Sequence, residues 1–105
     1  MINSEQDLVN IESAFETAKA ERFKAKTQFD AAKGNFHMRL MARRSAGENL
    51  TISDMEAMKN DAINTDELLK TAYLRFIEVD GVYRMAKVKW DSAKREYWDS
   101  REKGV

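Results

Sequence analysis

From Leu69 to Tyr97 the chain alternates a bulky residue with a smaller one at heptad spacing: Leu69, Ala72, Phe76, Val79, Tyr83, Ala86, Trp90, Ala93, Tyr97. Intervals of three and four place all of these on one face of an α-helix, whereas a strand would scatter them over both sides of a sheet. The register runs back through Thr65, Ala62, Met58 and Met55. With no proline, four glycines and 34% charged residues, the composition suits long helices and disfavours a sheet. The chain therefore reads as all-α.

The first half carries a stripe of the same kind: Leu8, Ile11, Phe15, Ala18, Arg22, Ala25, Phe29, Ala32, Phe36, with Arg22 as its polar break. Ser4 with Asp7 supplies a capping box at its start, and basic Arg43 and Arg44 suit the negative end of the helix dipole. A first helix over residues 4–44 would be roughly 60 Å long at about 1.5 Å per residue. Ser45-Ala46-Gly47-Glu48-Asn49-Leu50 reads as a turn, with Gly47 taking the positive φ that ends a helix. A second helix then starts at Ser53, capped with Glu56 and stapled by Ile52, with Thr51 and Asp54 as the alternative cap. No breaker interrupts it before residue 100. The domain organisation expected is one helical-hairpin domain over 1–105: helix 4–44, turn 45–52, helix 53–100.

Two long helices joined by a short connection fold back antiparallel. A pivot at Gly47 makes facing residue numbers sum to 94, which pairs Phe36 with Met58, Ala32 with Ala62, Phe29 with Thr65, Ala25 with Leu69, Ala18 with Phe76, Phe15 with Val79 and Ile11 with Tyr83. Large then meets small through most layers, the complementarity of a close, alanine-rich, coiled-coil-like seam. Charge follows the same plan. Although 18 basic residues balance 18 acidic ones, Met1–Arg44 carries +2, Ser45–Asp80 −5 and Gly81–Val105 +3. The register lays Lys24, Lys26, Lys33 and Arg39 beside the acidic 54–67 segment, and Glu5 and Asp7 near Lys87 and Lys89.

Several functional classes are disfavoured. Without cysteine there are no disulfides, thiolate nucleophiles or Cys-based zinc sites. His37 is the only histidine, so a transition-metal site has no second imidazole or thiolate to complete it. Glu12 with Glu16 could share a carboxylate site, but the Glu-x-x-His elements of di-iron bundles are missing, and the pair reads as a solvated face. Serines and threonines have caps and turns to explain them, no phosphate-binding glycine loop occurs, and a hairpin without a cavity gives chemistry no shelter from water. The expectation is a non-enzyme with no cofactor and no metal. Met1-Ile2-Asn3-Ser4-Glu5-Gln6-Asp7 is polar with no apolar core, and no stretch is long enough to span a bilayer, so the reading is cytoplasmic with no membrane partner. In that setting Asn49-Leu50-Thr51 is not a glycosylation acceptor.

Two features exceed what the hairpin uses. Leu74, Ile77, Gly81, Met85 and Val88 form a second apolar stripe facing away from Phe76 and Tyr83. Such a stripe marks an interface, and a mid-helix glycine suits the close approach of another backbone. The expectation is a four-helix homodimer crossing near Gly81. The second feature is the aromatic end. By the pivot register the first helix runs out opposite Trp90, leaving Trp90, Lys94, Tyr97, Trp98 and Arg101 as a candidate partner-binding surface, rich in hot-spot residue types. A non-enzymatic protein–protein interaction module follows: an adaptor, assembly factor or inhibitor. Small cysteine-free proteins of this class are common in phages and mobile elements, where they act against a host defence or enzyme. Lys33, Arg39, Arg43 and Arg44 cluster near the bend and give the alternative, a nucleic-acid-binding accessory protein. In layout, a basic helix end followed by a turn and a long aromatic-bearing helix, the chain is similar to phage recombination-mediator proteins, which implies recombinase loading on single strands. A structural oligomer is the third reading.

Overall fold

The computed structural model describes residues 5–103, which form three helices: α1 (Glu5–Ser45), α2 (Ile52–Thr65) and α3 (Glu67–Lys103). No strand occurs among the described residues. The fold is the all-α helical hairpin expected, with α1 packed against α3. Ser4, the expected first cap, lies outside the described residues.

The chain divides into two compact units, one made of Lys24–Ile77 and the other of Met1–Phe23 with Glu78–Val105. In the Lys24–Ile77 unit the core is Ala25, Leu40, Met55, Ala62 and Leu69, all buried, with the Phe29 ring packed between Tyr73 (5.4 Å) and Phe76 (6.0 Å). In the other unit Ala18, Val79 and Ala93 are buried, and Phe15 stacks on Tyr83 at 5.7 Å. Half of these buried side chains are alanines, which let helix backbones come close at the cost of little apolar volume per layer. Every position of both heptad stripes except Thr65 is buried or half-buried.

The bend is built as its residues suggest. Gly47 adopts φ +99°, and the Glu48 amide donates to the Arg43 carbonyl across it, closing α1 in a Schellman-like cap. The cap of α2 is the alternative one. Thr51 Oγ1 accepts from the Asp54 amide while Asp54 accepts from the Thr51 amide, so Ile52 and Ser53 fall inside the helix and the Ser53–Glu56 cap is not used.

Three expectations need correction. The second helix does not run unbroken over 53–100: Asp66 is extended (φ −107°, ψ 115°) and separates α2 from α3. Asp66 is hydrogen-bonded on both sides of the break. The Asp66 amide donates to the Ala62 carbonyl, and its carboxylate accepts from the Leu69 amide, which makes Asp66 the N-cap of α3. The register also differs from the one a pivot at Gly47 gives. Phe29 meets Tyr73 and Phe76 instead of Thr65, and Phe15 meets Tyr83 instead of Val79. Finally, Lys26 and Lys33 pair with Asp30 on their own helix, and among the described residues Arg39, paired with Asp66, is the basic residue of that group that bridges to the acidic segment.

Candidate functional site

The outward face of α3 is as its spacing predicts. Leu74 and Ile77 are about half exposed, Met85 is 76% and Val88 70% exposed, and Gly81 lies open to solvent. A Cβ added at Gly81 would meet nothing within 4 Å, and its backbone does not have positive φ. Neither packing within the chain nor local conformation calls for glycine there.

In the unit that holds both termini, α1 and α3 border an open groove of about 1060 Å³. Ile11, Met85, Val88 and Ala93 supply its apolar lining, and Asp7, Arg84, Lys89 and Glu96 place charges around it. The groove is open to solvent, and its apolar lining includes two members of the outward stripe, Met85 and Val88. Among the described residues no three His, Asp or Glu side chains converge as a metal site would require. His37 sits with Nδ1 3.4 Å from Lys59 Nζ.

The aromatic end differs from expectation. Tyr97 donates its hydroxyl proton to Glu5 at 2.9 Å, and Arg101 reaches the same carboxylate at 3.5 Å while stacking over the Tyr97 ring. Helix α1 thus extends alongside Tyr97, and Ala93 is buried, so the end is supported as far as Tyr97. Desolvation, and then the hydrogen bond to Glu5, raise the Tyr97 phenol above its usual range. Lys94 lies over the half-buried Trp90 ring at 5.1 Å. Of the five residues singled out at this end, Trp98 is the large apolar surface left open, 56% exposed.

The basic cluster is largely engaged by carboxylates. Lys33 pairs with Asp30, Arg39 with Asp66, and Arg43 donates through Nε and Nη2 to both oxygens of Glu48. Glu48 holds the Arg43 guanidinium more firmly charged, and Arg43 in turn depresses the Glu48 carboxyl. Arg44 is exposed and has no ion pair with a described residue.

One polar feature escaped the sequence reading. Arg22, the break in the first stripe, donates to Asp80 at 2.6 Å and lies over the Tyr83 ring, while Arg84 holds the other Asp80 oxygen at 2.7 Å. Hydrogen bonds from Arg22, then Arg84, keep the Asp80 carboxyl below the usual range. An arginine at a seam position is the available signal, since a guanidinium there requires a carboxylate opposite it. No described helix is long and apolar enough to cross a membrane. Comparison with protein-family models, curated proteins and solved structures gives no match to the chain.

Proposed function

We propose that the protein is a non-enzymatic, homodimeric interaction module of the cytoplasm, acting on another protein as an adaptor, assembly factor or inhibitor. The observation that carries this reading is the solvent-facing row of Leu74, Ile77, Met85 and Val88 on a helix whose other face already packs within the chain. Contiguous apolar surface of this kind is a mark of protein interfaces. Trp98, flanked by Lys94 and Arg101, offers a second surface for the partner protein at the end of α3.

Nucleic-acid binding is the weaker reading. A phosphate approaching Lys33, Arg39 or Arg43 would compete with a carboxylate already in place, which leaves Arg44 as the basic residue of the cluster without one among the described residues. The direct test is light scattering on the wild type and Ile77→Asp at micromolar concentration. The wild type is expected to have the mass of a dimer and Ile77→Asp that of a monomer; a monomeric wild type overturns the homodimer reading.

A further inference from the structure

We propose that the occupant of the outward face is a second copy of the chain, with α3 packed antiparallel on α3 about a two-fold axis at Gly81. The inference deepens the homodimer reading and rests on it. The residues of α3 are arranged symmetrically about this glycine: Leu74 and Val88 stand seven residues to either side, Ile77 and Met85 four, Glu78 and Arg84 three, and Glu67 and Arg95 fourteen. At about 100° per residue, each of these lies within roughly 60° of the direction in which Gly81 faces. All belong to one continuous helix.

A two-fold axis sets the residue n places before Gly81 against the residue n places after it in the other copy. Leu74 then meets Val88 of the partner subunit, and Ile77 meets Met85 of the partner subunit. The charged positions separate by sign in the same way. Glu78 meets Arg84 of the partner subunit, and Glu67 meets Arg95 of the partner subunit; within one chain Arg84 also donates through Nε to Asp80, so it faces two carboxylates in this register. Parallel pairing would oppose Glu78 to its own copy and Arg84 to its own copy, so charge selects the antiparallel arrangement. Arg75 and Lys87, the like-charged pair six residues to either side, point about 120° away and fall outside the contact.

Two structural observations bear on the same occupant. Gly81 has no role within the chain, since a side chain there would meet nothing, yet glycine in mid-helix is unfavourable; a second backbone crossing at that point gives it one. The groove also fits. Val88 and Ser92 line it, and the proposed register brings Leu74 of the partner subunit to Val88 and Lys70 of the partner subunit to Ser92, on a groove whose charges are Asp7 and Glu96 together with Arg84 and Lys89.

The protein has no cysteine, so engineered thiols report the register directly. Ile77→Cys with Met85→Cys is expected to oxidise to a covalent dimer, because each new thiol faces its counterpart in the other copy. Either substitution alone is expected to leave monomers on a non-reducing gel. In this register position 77 lies about 12 Å along the axis from its own copy, beyond the roughly 4.4–6.8 Å between Cα atoms that a disulfide spans. Glu78→Arg is expected to weaken the dimer about three- to tenfold, and adding Arg84→Glu to restore it.

A dimeric wild type in which Ile77→Cys alone cross-links is parallel and overturns the proposal. If the wild type is dimeric and neither single nor double variants cross-link, or the charge swap fails to restore affinity, the copies meet elsewhere; the homodimer reading survives while this register does not. A monomeric wild type in light scattering overturns both.

Discussion

Helix α3 has two apolar faces, and they differ in design more than in hydrophobicity. The inward face alternates bulk with alanine, and Leu69, Val79 and Ala93 on it are buried. The outward face has residues of similar greasiness but more even size around one glycine, and it lies in water. Alternation is what interdigitation inside a tight seam requires. Evenness with a central gap suits two equivalent surfaces crossing at a point. The pattern of sizes therefore separates core from interface where an apolar tally would merge them.

The sharpest way to break this distinction is truncation on each face. Leu69→Ala should cost about 2–5 kcal/mol in urea unfolding, the range for a buried leucine. Met85→Ala, measured dilute enough to populate monomers, should stay within about 0.5 kcal/mol. Equal losses would show that the outward face is core after all. Gly81→Ala comes next in size and changes sign between assays. It should raise monomer stability by about 0.5–1 kcal/mol by removing a flexible glycine from a helix interior, while lowering dimer affinity in sedimentation at graded concentration.

The smallest expected effect is electrostatic and belongs to the inward side. Arg39, then the Leu69 amide, hold the Asp66 carboxyl below its ordinary range, as Arg22 and Arg84 do for Asp80. A carboxyl depressed in the folded state binds its proton more readily when unfolded. Its contribution is therefore complete above the unfolded value of about 3.9 and is lost as pH falls through the lower folded values. Asp66→Asn with Asp80→Asn should lower stability at pH 7 and flatten the acid-side decline between about pH 4 and pH 2, followed by circular dichroism; an unchanged slope would remove these bridges from the account.

Much of the fold was legible because heptad spacing reports helix faces directly, and every seam position from Leu8 to Phe36 and from Leu69 to Tyr97 is buried or half-buried. The break at Asp66 was not. Met55, Met58, Ala62, Thr65, Leu69 keeps its intervals straight through it, so periodicity has no gap to reveal, and neither proline nor glycine marks the place. The signal present was an N-cap residue followed by an acid, Asp66-Glu67, at the end of the acidic 54–67 segment. The Gly47 pivot carried a separate error into the site, because its register left Tyr97 without a neighbour although Glu5 stands beside it. The outward stripe was legible, since intervals of three and four place it without reference to any partner.

Asp66 also determines which side of α3 becomes which. One extended residue, held at its amide by Ala62 and at its carboxylate by Leu69 and Arg39, fixes the rotational phase with which α3 begins. Each residue inserted after it would turn everything downstream by about 100°, carrying the alternating row out of the seam. The division of α3 into an inside and an outside is thus set at a single indexing point, and length at that point matters more than composition.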